Sequence, residues 1–177
     1  MPPIYFLGMS LFKRVAVATS FGVVISLTKV LMPTPLDKVV IFPQALLLTI
    51  AYLAVGAPGA TYTGLVGGLL TALWRAAFAP LTVAFAVAYG ALIDALCYCF
   101  GVPSRAPPGY GKRIVAAVTA ATVIIGLASY YVTVHVLALL PRNPMLEVAI
   151  LVAGTVNGLA AGAIAASVWS RLRVYVP

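Results

Sequence analysis

The sequence predicts an all-α integral membrane protein, folded as a compact bundle of about six transmembrane helices. Of its 177 residues, 63% are hydrophobic and only 8% are charged, against roughly 25% charged residues in ordinary globular proteins. A soluble chain of this size would have too little charge to cover its surface, so a soluble fold is excluded. The apolar runs are continuous and about twice the length of a barrel strand, which favours helices over a transmembrane barrel.

Six apolar runs, interrupted by proline, glycine or charged residues, define the predicted spans. A helix needs about 20 mostly apolar residues to cross a hydrocarbon core of about 30 Å. The connections are short, so we predict a single transmembrane domain, residues 1–177. The first dozen residues lack the basic start and cleavage site of a signal peptide, which favours an interfacial helix or an extended first span. The predicted spans are residues 14–32, 38–55, 60–78, 80–102, 113–140 and 144–172.

The few charged residues indicate how the bundle is oriented in the membrane. The chain has 11 lysines and arginines and 3 acidic residues, and basic residues concentrate in cytoplasmic connections. With a cytoplasmic N-terminus, seven of the basic residues lie on the cytoplasmic side and four on the other. We therefore predict that both termini and the polar segment 103–112 are cytoplasmic. No basic run is interleaved with aromatic residues, so we predict no nucleic-acid partner.

Small residues recur at four-residue spacing in several spans and predict close helix packing. The first span has two such pairs, Ala16/Ser20 and Ala18/Gly22, which point to nearly opposite sides of the helix. One side can pack inward, and the other is a candidate docking surface for a second membrane protein. Packing within the protein is favoured for the third, fourth and sixth spans. Their small residues are Gly64, Gly68, Ala72 and Ala76; Ala86 and Gly90; and Gly154, Gly158, Gly162 and Ala166.

One carboxylic acid, Asp94, and one amide, Asn157, lie well inside predicted spans. An ionisable residue within the membrane is a functional candidate, so Asp94 is a candidate ligand or proton site. Asp94 also follows Gly90 on the small-residue side of the fourth span, which favours a buried acid that accepts hydrogen bonds from its neighbours. For Asn157, a hydrogen bond between helices is favoured over contact with a ligand.

Polar and aromatic residues cluster in three connections at the predicted external ends of the helices. Both signs of charge, aromatic rings and amide groups suit the binding of a small, polar, partly aromatic ligand. The alternative is an interfacial belt of aromatic residues and of charged side chains that extend toward water. The candidate substrate-binding residues are Asp37, Gln44, Trp74, Arg75, Tyr131, His135, Asn143 and Glu147.

Residues suited to catalysis or metal binding are scarce in the sequence. One histidine, two cysteines and three acids do not form a typical metal site, and no glycine-rich loop follows a strand to hold a nucleotide phosphate. Cys97 and Cys99 are two apart on a helix, so their side chains diverge and a disulfide between them is not expected. We predict a binding or passage protein without a cofactor or metal, rather than an enzyme.

Three segments resemble the substrate-binding (S) component of energy-coupling factor (ECF) transporters. The segments are residues 51–60 (AYLAVGAPGA), 63–68 (TGLVGG) and 88–94 (AYGALID). They are similar to the region of the second to fourth helices in components specific for thiamine or its hydroxymethylpyrimidine precursor. There a Pro-Gly-Ala turn precedes a glycine-rich helix, and a later Tyr-Gly pair is followed by an acid; Tyr89, Gly90 and Asp94 occupy those positions here.

The resemblance implies a membrane subunit that captures a vitamin-like solute, thiamine-like by preference, at its external face. It also implies a location in the cell membrane and a complex with a transmembrane coupling protein and ATPase subunits. In the family an Ala-xxx-Ala pair of the first helix marks the docking surface; Ala18-xxx-Gly22 or Ala16-xxx-Ser20 stands in that place here. The residues leave two alternatives open: an accessory subunit of a larger membrane complex, and a small proton-coupled carrier that uses Asp94.

Overall fold

The computed structural model describes residues 10–31, 41–76, 79–138 and 144–172. These residues form six α-helices and no β-strand, which confirms the all-α fold. A single π-helical turn, Val132–Val136, continues the fifth helix. The helices are α1 Leu11–Leu31, α2 Phe42–Val55, α3 Gly59–Trp74, α4 Ala79–Cys99, α5 Gly111–Tyr131 and α6 Pro144–Leu172.

Four of the described helices are long and apolar enough to cross a membrane: α1, α4, α5 with its π-helical turn, and α6. The chain is therefore a membrane protein, as predicted. The helices α2 and α3 have 14 and 16 residues, which corresponds to about 21 and 24 Å of helix. Pro43 lies in the first turn of α2. Backbone N–H groups in a first turn have no acceptor within the helix, so the missing N–H of proline costs no hydrogen bond there.

The helix α2 is the centre of the bundle and packs against all five other helices. Ala45, Leu48, Ala51 and Leu53 are fully buried. An apolar helix without a polar face is typical of a helix that is surrounded by protein. Its neighbours therefore stabilise α2 although it is shorter than the hydrocarbon core is thick.

Glycines bring α3 and α4 into backbone contact. Gly64 of α3 lies against the Ala86 carbonyl of α4, and Gly90 of α4 lies against the Ala60 carbonyl of α3. The order of these contacts shows that the two helices are antiparallel. Any side chain at position 64 or 90 would separate the backbones, so the small-residue spacing of both spans is used for packing within the protein.

The opposite side of α3 packs in parallel against α1. Gly67 faces the backbone carbonyl of Gly22, and Thr63 Oγ1 donates a hydrogen bond of 3.2 Å to the Ala18 carbonyl. The helix α3 thus lies between α1 and α4. This pairing places the end of α3 beside the end of α1, which matters for the site described below.

The helices α5 and α6 form the second close pair of the bundle. Gly154, Gly158 and Gly162 of α6 all face the backbone of α5, between Val115 and Val123. The contacts run in opposite chain directions, so α5 and α6 are antiparallel. As in the α3–α4 pair, the absence of side chains lets the two helices approach closely and increases their van der Waals contact.

One end of the bundle, here called the loop end, is covered by the connection of residues 100–110. Val102 and Ala106 of this connection are buried, each with 2% of its surface exposed. The Tyr52 hydroxyl donates a hydrogen bond of 2.6 Å to the Val102 carbonyl, and Trp169 Nε1 donates one of 3.1 Å to the Ala106 carbonyl. The connection is therefore anchored to α2 and to α6, and it closes the loop end.

Replacing Tyr52 by phenylalanine is expected to loosen this closure. The substitution leaves the buried Val102 carbonyl without its donor, a loss of about 1–2 kcal/mol in the free energy of unfolding. Trypsin should then cleave faster after Arg105, whose N–H is bonded to the Leu53 carbonyl at 2.9 Å. The fragments can be followed by mass spectrometry. Tyr98→Phe, at a side chain that is 80% exposed, is the matched control, and equal cleavage of the two variants would contradict the anchoring role.

Candidate ligand-binding site

The end of the bundle opposite the loop end is called the site end. Successive helices alternate in direction along the chain, so α1, α3 and α5 end at the site end and α2, α4 and α6 begin there. The parallel packing of α1 against α3 agrees with this alternation. Gln44, Trp74, Arg75, Tyr131, His135 and Glu147 all belong to these helix ends. Two further candidates, Asp37 and Asn143, lie outside the described residues.

Gln44, in the first turn of α2, is the most buried candidate at the site end. Only 7% of its surface is exposed, and no hydrogen bond joins its side-chain amide to any residue that the structure describes. A buried amide has two donors and one acceptor to satisfy, and leaving them unpaired costs about 1–3 kcal/mol. The position therefore suits a polar partner that the protein itself does not provide in its described part.

Arg75 follows α3 and connects the ends of two helices. Its Nη2 atom donates a hydrogen bond of 2.7 Å to the carbonyl of Lys29, in the last turn of α1. Carbonyl groups at a helix C-terminus lack partners within the helix and carry partial negative charge, so a guanidinium group there is favourable. Arg75 is thus held at the rim of the site end. Trp74, beside it in sequence, is 72% exposed and presents a free aromatic surface.

Tyr131 and His135 form an aromatic pair at the end of α5. Their ring centroids are 4.8 Å apart with an angle of 34° between the planes, and Tyr131 is 60% exposed. The four-residue separation places both rings on one side of the helix and its π-helical turn. The exposed Tyr131 ring of this pair can stack against a heteroaromatic ring.

Glu147 is exposed in the first turn of α6. A carboxylate at this position interacts favourably with the positive end of the helix dipole, which explains the residue without a ligand. It also gives the site end a negative charge that is available to a cationic solute.

Ser26 of α1 is a buried polar residue near the site end that the sequence analysis does not select. It is 4% exposed, and its hydroxyl makes no hydrogen bond to a residue that the structure describes. Ser26 follows Ala18 and Gly22 at the same four-residue spacing on the inward side of α1. This spacing is the feature of the sequence that could have predicted its burial. The helices α1 and α2 are in contact. Ser26 on α1 and Gln44 on α2 are therefore two buried polar side chains, on adjacent helices, that have no hydrogen-bond partner among the described residues.

Asp94 lies away from the site end, near the beginning of α3. Its carboxylate oxygens accept hydrogen bonds from the backbone N–H groups of Ala60 (3.3 Å) and Thr61 (2.8 Å) and from the Thr61 hydroxyl (2.5 Å). Pro58, which precedes α3, provides no side-chain cap. Asp94 of α4 thus caps the N-terminus of α3 from a neighbouring helix, and this geometry favours a structural role over a proton site.

Asn157 makes one of its hydrogen bonds within its own helix. Its side-chain Nδ2 donates to the Ala153 carbonyl, one turn earlier in α6, at 2.7 Å. Asn157 lies mid-span and is half-buried, at a distance along α6 of about 15 Å from Glu147. The structure does not bring it to the site end.

The four small residues predicted to dock a partner divide into two pairs. Ala18 is 1% exposed and Gly22 is buried, since both lie against α3. They are therefore unavailable to a partner, which removes Ala18 and Gly22 from the docking candidates and leaves the pair Ala16/Ser20. Ala16 and Ser20 are exposed, and the Ser20 hydroxyl donates to the Ala16 carbonyl at 2.9 Å. Ala16 and Ser20 thus place two short side chains on the outer side of α1, and the Ser20 hydroxyl donor is already bonded within the helix.

Comparison of the chain with protein-family models, curated proteins and solved structures finds no significant match. The resemblance to ECF substrate-binding components therefore depends on the residues quoted for it, and it remains a prediction.

Proposed function

We propose that this protein is the substrate-capturing membrane subunit of an ECF-type uptake transporter, and that it binds a small water-soluble vitamin or precursor, thiamine-like by preference. The observation that carries the proposal is Gln44, a buried amide without a hydrogen-bond partner among the described residues, at the site end. A solute that pairs with this amide recovers the free energy lost by burying it.

The other groups of the site end are consistent with a heteroaromatic solute. The Tyr131–His135 pair and the exposed Trp74 provide stacking surfaces. Glu147 provides negative charge for a cationic ring such as thiazolium, while the guanidinium of Arg75 is engaged by α1. Aromatic surfaces together with a few oriented polar groups are typical of sites that bind small molecules.

The closed loop end favours a subunit of a transporter complex over a channel that works without partners. The opposite end of the bundle is covered by the connection that contains Val102 and Ala106. Both residues are buried, and Tyr52 and Trp169 anchor their carbonyl groups. Release on that side requires movement that the bundle does not provide by itself, and ATPase subunits acting through a coupling protein would supply it. The outer side of α1, where Ala16 and Ser20 are exposed, is the proposed docking surface. A cell-membrane location with cytoplasmic termini completes the proposal.

A ligand screen with the purified protein tests the proposal. Thiamine, its pyrimidine precursor and other water-soluble vitamins are added in detergent, and both the thermal shift and the Trp fluorescence are recorded. We expect one of these solutes to raise the melting temperature and to quench Trp74. Trp74→Phe should retain the thermal shift and lose most of the quench, while Trp169 at the loop end contributes a constant signal.

Gln44→Leu separates binding from folding. Removal of the amide is expected to weaken the affinity by roughly 5- to 150-fold, since a lost hydrogen bond to a buried polar group is worth about 1–3 kcal/mol. The melting temperature without ligand should stay the same or rise, because an unpaired polar group is replaced by an apolar one of similar size. If no vitamin produced a shift or a quench, and the protein co-purified stoichiometrically with an unrelated membrane complex, an accessory role would be favoured instead.

A further inference from the structure

A long apolar groove lies between α5 and α6, on the outer surface and away from the site end. Its volume is about 790 Å³. Its walls include exposed small residues, Ala116 of α5 and Ala163 of α6. Ala120 and Ala166 extend the same surface. The close approach of the two helices at the glycines of α6, together with these short side chains, produces a depression in a surface that faces lipid.

The groove is apolar along its length although it contains a threonine. The Thr119 hydroxyl donates a hydrogen bond of 2.7 Å to the Val115 carbonyl in its own helix, so its donor is satisfied and its methyl group is left for contact. Val115, Val123 and Leu159 form the larger side chains of the walls. Such a surface suits a flexible hydrocarbon chain, which can fill an irregular depression without unpaired polar groups.

The groove has a defined length and one basic end. It extends along α5 from Lys112 to Val123, which is about 17 Å of helix, close to half of a hydrocarbon core of about 30 Å. It therefore matches a single leaflet. Lys112, in the first turn of α5, is exposed at the loop end of the groove.

The surface around this end of the groove is positively charged. In the described part of the chain, the loop end carries Lys13, Arg14, Arg105, Lys112, Arg113 and Arg171. The described acids lie elsewhere: the Asp94 carboxylate is buried and bonded to α3, and Glu147 is at the site end. Arg113 is held over the Tyr110 ring, with 5.4 Å between its Cζ atom and the ring centroid, so Lys112 is the cation directly at the groove.

We propose that this groove binds an anionic phospholipid of the leaflet at the loop end, with one acyl chain along Ala116, Ala120 and Ala163 and its phosphate beside Lys112. The size of the groove, its apolar walls and its single basic mouth specify a lipid that has both a hydrocarbon chain and a negative head group. The proposal does not depend on the transport function, since it uses a surface remote from the site end.

Lipid binding to the purified protein in neutral detergent tests this assignment by native mass spectrometry. Phosphatidylglycerol and phosphatidylcholine with identical acyl chains are compared. Wild-type protein should bind phosphatidylglycerol more tightly, and Lys112→Gln should weaken that binding about fivefold while leaving phosphatidylcholine unaffected, as expected for one charge at a membrane surface. Lys13→Gln is the matched control, because it removes an equal charge from the same end of the bundle at α1.

A second pair of variants tests the acyl-chain part of the site. Ala163→Leu fills the groove and should reduce the binding of both lipids at least threefold, whereas Ala88→Leu, an equal change on the exposed side of α4, should not. Ala116→Leu, on the facing wall, replaces Ala163→Leu if that variant does not fold. Equal affinity of the wild type for the two lipids, an equal effect of Lys13→Gln, or unchanged binding in the groove-filling variants would each overturn the proposal.

Discussion

Gly90→Val is expected to unfold the bundle or to lower its melting temperature by about 10 °C. A Cβ atom at position 90 would lie 2.7 Å from the Thr61 Cα and closer still to the Ala60 carbonyl oxygen. Both are backbone atoms and cannot rotate away, so α3 and α4 would have to separate. Overpacking a close contact costs about 1–3 kcal/mol or more, and the loss here is expected at the upper end of that range, about 3 kcal/mol, which corresponds to the stated shift for a chain of this length.

Gly111→Ala is the control for this prediction. It is also a helical glycine, but a Cβ there would meet the Ala166 Cβ at 3.8 Å, an ordinary van der Waals distance. Its stability should equal that of the wild type or exceed it slightly, because alanine favours a helix more than glycine does. Thermal unfolding of the two variants in the same detergent, followed by circular dichroism, measures the difference. A Gly90→Val protein as stable as Gly111→Ala would show that α3 and α4 are not in backbone contact.

Asp94→Ala is expected to destabilise the protein by about 2–4 kcal/mol. The substitution leaves the N–H groups of Ala60 and Thr61 and the Thr61 hydroxyl without an acceptor at a buried helix start. Loss of a cap costs about 1 kcal/mol. A buried group left without a partner costs about 1–3 kcal/mol, and the partly buried groups at Thr61 contribute only part of that amount. Thermal unfolding or resistance to a denaturing detergent gives the size of the effect.

Three companion variants identify the cause of that loss. Asp94→Asn keeps one acceptor and should be intermediate, and Thr61→Val removes only the hydroxyl donor and should cost about 1 kcal/mol. Glu147→Ala removes the exposed acid of α6 and should leave stability nearly unchanged. These variants also address the carrier alternative, which requires Asp94→Asn to abolish solute flux in a fully stable protein. Wild-type stability of Asp94→Ala would refute the capping role and favour that alternative.

The helix boundaries follow from the sequence to within a few residues where a breaker is present. The sixth span, residues 144–172, coincides with α6, which begins at Pro144. The third was expected to continue to residue 78, but α3 ends at Trp74 because Arg75 leaves the helix and binds the Lys29 carbonyl of α1. The fifth was expected to continue as one helix to residue 140, but the α-helix ends at Tyr131 and a π-helical turn follows.

The candidate site shows a similar division. Alternating helices assign Gln44, Trp74 and Tyr131 to one end of the bundle from sequence alone. Whether each side chain is buried could not be read from the chain, because α2 is apolar on nearly all sides and its inward direction has no periodic signal. Burial of Gln44 and exposure of Trp74 are consequences of which helices pack around them.

The sequence by itself determined the membrane environment, the helical class and the glycines at which helices approach, because length, hydropathy and residue size are local properties. Only the tertiary structure decided that α2 is central, that α1 pairs in parallel with α3, that Ala18 and Gly22 face inward, and that Asp94 caps α3. The physical reason is that lipid and protein interior are equally apolar. Hydrophobicity therefore places the helices in the membrane but does not select their neighbours, which are chosen by backbone contacts and hydrogen bonds between residues far apart in the chain.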